Sequence, residues 1–186
     1  MPQMKQEIAD TLTDLLRTTP LENITVKDIA SRCGVSRQAF YYYFDDIYDV
    51  LEWVFVQETE HALKEHSAID NWQEGYVRML RWAQANKALV RNTYQSVRRE
   101  YVEYFMNRVL FQYLMQVVST EAAGLRVTQE QQEFIAQFYT LALNAFSLEW
   151  IRNNMKEPPE RVVAKVSLLL EGSFQRALHN FQDKPF

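Results

Sequence analysis

Cysteine, glycine and proline are all scarce in this sequence, and each shortage excludes a class of architecture. A single cysteine, Cys33, cannot build an internal disulfide framework or a cysteine-based zinc site, and it suits a reducing, cytoplasmic setting. Four glycines and five prolines in 186 residues supply few turns for a many-stranded β-protein. Long apolar runs are missing too. Even the segment Val50 to Val56 carries Glu52, so no stretch approaches the ~18 apolar residues that point to a membrane span. The opening residues, Met1-Pro2-Gln3-Met4-Lys5-Gln6-Glu7, hold no apolar signal core, which points away from export. Positive charge is not in excess. A formal net charge of -4 argues against wholesale coating of nucleic acid, although a small basic face can work on an acidic protein. What is abundant is apolar material, at 47%, too much for intrinsic disorder and enough for one or two cores. The expectation is an all-α protein.

The spacing predicts a first helix from about Gln3 to Thr18, with Ile8, Leu12, Leu15 and Leu16 on one face and Pro20 ending it. After the short loop Leu21-Glu22-Asn23, Thr25 reads as the N-cap of a second helix, with Asp28 at the capping-box position. That helix stops at Gly34, and Ser36 caps a third beginning at Arg37. Asp45-Asp46 opens a fourth helix, buried along Ile47, Val50, Leu51, Val54 and Phe55 and running to His66. Further helices are predicted at Asn71 to Asn86, Ala88 to Ser96 and Val97 to Thr120, with a loop around Gly124. Thr128, with Gln131 at the box position, caps a long helix to about Met155. Pro159 starts a last helix reaching Phe181.

The last two predicted helices carry more apolar residues than one buried face needs. In Thr128 to Met155, Phe134, Phe138, Leu141, Ala145 and Leu148 form one row; Ile135, Tyr139, Phe146 and Trp150 form another. The final helix sets Val162, Val166, Leu169, Ser173 and Ala177 beside Val163, Leu170, Phe174 and Phe181. Two apolar faces mean burial from both sides, either inside one subunit or against a second copy. A homodimer built on these helices is the sharper expectation.

The segment Ile24 to Phe44 has the logic of a helix-turn-helix. Ala30 is small where two helices cross, Gly34 makes the turn, Val35 fills the space between the helices, and Ser36 caps the helix that enters the major groove. Five consecutive aromatics, Phe40-Tyr41-Tyr42-Tyr43-Phe44, cannot all point inward on one helix. With Phe40 and Phe44 turned to the core alongside Ala39, Arg37, Gln38, Tyr41 and Tyr42 lie on the outer side. Arginine and glutamine suit bidentate contacts to base edges, and tyrosine hydroxyls suit phosphates. Charge within Ile24 to Phe44 is locally +2, from Lys27, Arg32 and Arg37 against Asp28. The first 46 residues hold five basic and seven acidic side chains, so the basic face is narrow.

Ile24-Thr25-Val26-Lys27-Asp28-Ile29-Ala30, then Cys33-Gly34-Val35-Ser36, then Phe40-Tyr41-Tyr42-Tyr43-Phe44 resemble the signature of TetR-family transcriptional regulators, over about Gln6 to Phe55. The resemblance implies a homodimer with an N-terminal DNA-binding domain, here residues 1–46, and a helical regulatory and dimerisation domain over 47–186. It implies that Thr25 and Lys27 touch phosphate and that Ser36, Arg37, Gln38, Tyr41, Tyr42 and Tyr43 face double-stranded operator DNA. Many members carry a lysine where this chain has Ile47, amid the acidic run Asp45-Asp46-Ile47-Tyr48-Asp49. That run, with Leu51-Glu52-Trp53, Glu149-Trp150-Ile151-Arg152 and Met155-Lys156-Glu157-Pro158-Pro159-Glu160, resembles the branch that includes regulators of dihydroxyacetone kinase operons. The trigger that controls such a regulator is either a small-molecule effector or a regulatory protein partner.

Enzyme chemistry finds little support. There is no glycine-rich phosphate loop, nucleophile elbow or Cys/His zinc pattern, and no cofactor is expected. Glu58-Thr59-Glu60-His61 holds one Glu-x-x-His spacing, whereas a di-metal site needs two and more glutamates besides. His66 and His179 have no ligand partners in sequence, and Cys33 reads as a small packing residue. The C-terminal aromatics, among them Trp72, Tyr76, Trp82, Tyr94, Tyr101, Tyr104, Phe105, Phe111 and Tyr113, read as core. The alternative is an aromatic effector pocket with Glu100, Glu103 or Glu149 as counter-charge.

Overall fold

The computed structural model describes residues 2–64, 72–96 and 98–184. Among them the chain is all helix and turn: α1 (Pro2–Leu16), a short 3-10 turn (Leu21–Asn23), α2 (Val26–Cys33), α3 (Arg37–Tyr43), α4 (Ile47–Lys64), α5 (Trp72–Ala85), α6 (Lys87–Tyr94), α7 (Glu100–Glu121), α8 (Gln129–Arg152), α9 (Pro159–Leu170) and α10 (Ser173–Phe181). The predicted helix limits at His66, Asn71 and Val97 lie outside the described residues. No described helix is long and apolar enough to cross a membrane.

Packing divides the chain into two units, Met1–His61 with Asn86–Phe105, and Ala62–Ala85 with Met106–Phe186. The first unit extends past residue 46, because α4 to His61 and the whole of α6 pack with the N-terminal helices. Its core takes Ile8, Leu12 and Leu16 from α1, Ile29 and Ala30 from α2, Phe40 from α3, and Val50, Leu51 and Phe55 from α4. Asn92 on α6 donates to the carbonyls of Leu16 at 2.6 Å and Thr19 at 3.5 Å, occupying acceptors that the end of α1 leaves open.

In the second unit the tyrosine of α5, Tyr76, is fully buried; its hydroxyl lies 3.1 Å from the Leu143 carbonyl and 2.9 Å from Ser147 Oγ. Burial pushes that phenol up to about 12, against the opposing effect of Ser147. The predicted capping box of α8 is present: Thr128 Oγ1 accepts from the Gln131 amide, and Gln131 Oε1 accepts from the Thr128 amide.

Two helix ends differ from those predicted. The long helix stops at Arg152 rather than Met155, because Asn154 (φ 63°) and Met155 (φ 53°) both take left-handed backbone. The turn is held by Trp150, whose indole donates to the Glu157 carbonyl at 2.8 Å and whose own carbonyl accepts from the Met155 amide at 2.9 Å. It also buries the Met155 side chain. The predicted last helix is in fact two, broken at Gly172, whose φ of 66° is cheap only for glycine. Of the two rows drawn across that break, Val163, Leu170, Phe174 and Phe181 stay buried or half-buried, whereas the other is interrupted at Leu169, which with Leu168 is among the most exposed apolar residues.

One apolar row stays uncovered. Phe134, Phe138 and Leu141, spaced i, i+4 and i+7 on α8, are each more than half exposed, as is Phe146; Ile135 and Trp150 are buried. Such a concentration of exposed aromatics is unusual on a soluble monomer.

Candidate nucleic-acid interface

The start of α2 is fixed by a reciprocal cap. Thr25 Oγ1 accepts from the Asp28 amide at 3.2 Å, and Asp28 Oδ2 accepts from the Thr25 amide at 2.9 Å and from the Thr25 hydroxyl at 2.5 Å. The bonds from Thr25, side chain first and backbone second, hold the Asp28 carboxyl below the ordinary carboxylate range, with a lesser contribution from Lys27. The Thr25 hydroxyl proton is therefore committed to Asp28. A phosphate approaching here meets the exposed Lys27 ammonium and the amides of the first turn, where helix N-termini favour anions.

The turn between α2 and α3 follows from Gly34. With φ at 69° it lets the Val35 amide reach back to the Ala30 carbonyl at 2.9 Å, which closes α2 and leaves two residues before α3 begins. Ser36 Oγ accepts from the Ala39 amide at 3.0 Å and caps α3 as predicted.

Helix α3 divides its aromatics as its length requires. Phe40 and Phe44 are buried, 6.2 Å apart by ring centroid, and Phe44 also meets Trp53 edge-on at 6.2 Å. Lys5 of α1 stands 5.0 Å over the Phe44 ring, a cation–π contact that no local sequence pattern announces. Arg37 and Gln38 are exposed, Tyr42 is 69% exposed and Tyr41 49%. Tyr43 is half-buried, its ring 4.9 Å from that of Tyr42 and nearly perpendicular to it. Four side chains with hydrogen-bonding capacity thus share the outer face of a short capped helix.

The acidic run after α3 has a structural use. Asp46 Oδ1 accepts from the Asp49 amide at 2.9 Å, while Asp49 Oδ2 accepts from the Asp45 amide at 3.1 Å. These acids cap α4, where their charge also suits the helix dipole.

Residues 8–54 match the family described as bacterial regulatory proteins of the tetR family, and residues 70–172 match the transcriptional regulator C-terminal region of that family. The chain belongs to the TetR family. It is a transcriptional regulator with a helix-turn-helix head, not an enzyme. Among TetR-type relatives, the HTH-type dhaKLM operon transcriptional activator DhaS of Lactococcus lactis subsp. lactis (strain IL1403) is 29% identical over 80 residues. That match spans 43% of this chain and 43% of that protein, less than half of either. The solved dihydroxyacetone kinase operon activator DhaS has the same fold, with a TM-score of 0.71 at 20% identity over 96% of this chain and 98% of that one. The fatty acid degradation regulator FadR of Bacillus halodurans follows at 0.62 and 18%, covering 89% and 93%.

The three glutamates expected as counter-charges are already engaged: Glu100 pairs with Arg98 at 3.4 Å, Glu103 with Arg99 at 3.8 Å, and Glu149 with Arg152 at 3.2 Å. None lines the cleft of about 610 Å³ that opens in the second unit between α5, α7 and the α9–α10 corner. The acids that do are Glu121 and Glu171, which sequence reasoning missed because nothing local distinguishes them. Glu58 and His61 lie on α4, and among the described residues no group of three metal-ligating side chains forms.

Proposed function

We propose that this TetR-family regulator binds palindromic operator DNA as a homodimer and that a small-molecule effector acting through the C-terminal domain changes its DNA affinity. One observation carries the DNA reading: Arg37, Gln38, Tyr41 and Tyr42 stand together on the exposed face of a helix whose opposite face, at Phe40, is wholly buried. Arg37 and Gln38 read base edges; Ser36, Tyr41, Tyr42 and Tyr43 hold the backbone, with Lys27 and the α2 N-terminus at Thr25 on a neighbouring phosphate. The exposed row on α8, with Leu168 and Leu169 of α9, favours a two-fold dimer through a four-helix interface. A cleft large enough for a drug-sized molecule favours the small effector over a protein trigger.

Helix α4 is the proposed transmission element, since it contributes residues to both packing units. An effector can act only through its different affinities for two arrangements of the dimer. A few ångströms of change in head separation prevents both heads from entering successive major grooves together.

Arg37→Ala is expected to cost ~1–3 kcal/mol on the cognate site and to relax its base preference. Lys27→Ala is expected to weaken all sequences alike and to flatten the dependence of affinity on salt. Titrations on cognate and scrambled duplexes at several salt concentrations check both. Cognate affinity unchanged by Arg37→Ala contradicts the base-reading role.

A further inference from the structure

The start of the chain leaves its cations bare. Of the five basic side chains in residues 1–46, only Arg17 is ion-paired, to Asp14 at 3.3 Å. Lys5, Lys27, Arg32 and Arg37 form no ion pair among the described residues, although the same stretch holds seven acids. In the second unit, by contrast, Arg78, Arg81, Arg126, Arg152 and Arg161 each have a carboxylate partner. Lys27 and Arg37 already have a use in the proposed DNA interface. Arg32 lies in the last turn of α2, where the helix dipole favours a cation. Lys5 is left over.

Its own helix does not favour it. The opening turn of α1 carries no acid, and there the dipole opposes positive charge. What holds the half-buried Lys5 is the Phe44 ring, whose centroid lies 5.0 Å from Nζ. A ring face attracts the charge but leaves the ammonium donors available to an anion.

Phe44 also fixes where that ammonium stands. It caps the C-terminal end of α3, is buried, and is wedged against Phe40 and Trp53 at 6.2 Å each. Lys5 is thereby brought to the end of α3 opposite Ser36. With seven residues α3 is only about 10 Å long, so the strands bordering a groove that it enters pass near both of its ends. Asp45 and Asp46, directly after Phe44, are exposed acids that oppose a phosphate strand at this end. Lys5 supplies a cation that offsets them.

We propose that Lys5 of α1 is a DNA-backbone contact: its ammonium, held on the Phe44 ring, meets a phosphate at the C-terminal end of α3. This rests on the reading of the outer face of α3 as the DNA-binding surface. It extends that surface to a helix outside the helix-turn-helix.

The test measures affinity against salt concentration for the full chain, Lys5→Met and Lys5→Arg. The probes are duplexes recovered by selection from a randomised library and a scrambled duplex of the same composition. Lys5→Met keeps the apolar stem and is expected to weaken both probes alike, by about eightfold per head at ~0.1 M salt. It should also reduce the slope of log affinity against log salt by ~0.9 per head. Lys5→Arg should keep the slope of the parent, and both variants should melt within about 4 °C of it. A slope unchanged by Lys5→Met overturns the proposal even if affinity falls, because a lysine that only braces Phe44 releases no counterion.

A second measurement needs no variant. Labelling of the parent with an amine-reactive reagent, read by mass spectrometry, should lose its modification at Lys5 when DNA is bound. Equal labelling with and without DNA overturns the contact. A parent that binds no duplex rejects the DNA reading and this proposal with it; a parent that binds with a slope indifferent to Lys5 rejects this contact alone.

Discussion

Replacing Phe146 or Leu169 by glutamate is expected to give a folded monomer whose operator affinity has fallen by ~10²–10⁴-fold. The size of the effect comes from avidity. Once one head is bound, the second binds intramolecularly, and a monomer forfeits that effective concentration without losing a single contact at either half-site. Both residues are well suited to the purpose, because Phe146 is 55% and Leu169 75% exposed in the isolated chain. A charge there meets water in the monomer, so its cost appears only when the two faces are pressed together. Sedimentation of parent and variants at micromolar concentration, alongside their helix content, gives the answer. A parent that sediments as a monomer, or a glutamate variant that stays dimeric with undiminished DNA affinity, contradicts the proposed interface.

Two aromatic residues only two positions apart should behave oppositely. Phe40→Ala removes a ring with no exposed surface from the centre of the first unit, and the expected loss of stability is ~3–5 kcal/mol. For many small domains that is a large part of the whole. Tyr42→Ala removes a ring that is 69% exposed, and its stability should remain within ~0.5 kcal/mol of the parent. Its effect should appear instead in weakened operator binding. Thermal melts and DNA titrations on the pair distinguish the roles. If Tyr42→Ala destabilises as much as Phe40→Ala, the outer face of α3 is structural.

The sequence was most informative where local chemistry alone determines structure. Thr25 with Asp28, Gly34, Ser36, and Thr128 with Gln131 are caps and turns whose partners lie within a few residues, and each forms as expected. The division of Phe40 to Phe44 into buried and outward rings was legible for a similar reason: one helix face accommodates only some of five neighbours. The errors lie where distant residues decide. Helix α8 ends early because Trp150 fixes a turn through Glu157 and Met155, and the final apolar pattern continued in periodicity past a glycine that interrupts the backbone. Glu100, Glu103 and Glu149, by contrast, pair with arginines two to four residues away, so their engagement was legible in the spacing. The acidic run at Asp45 to Asp49 looked like a departure from a DNA-binding pattern and serves to cap α4.

Selection of bound duplexes from a randomised DNA library, using the full chain at physiological salt, tests sequence-specific operator binding most directly. The expected result is enrichment of an inverted repeat whose half-site centres lie about one helical turn apart, ~34 Å, or a whole multiple of that distance. Arg37→Ala carried through the same selection should return a repeat with relaxed preference at a base position in each half-site. Recovery of unenriched sequence by the parent chain, or of a motif without two-fold symmetry, would contradict a dimeric regulator that reads DNA through the outer face of α3.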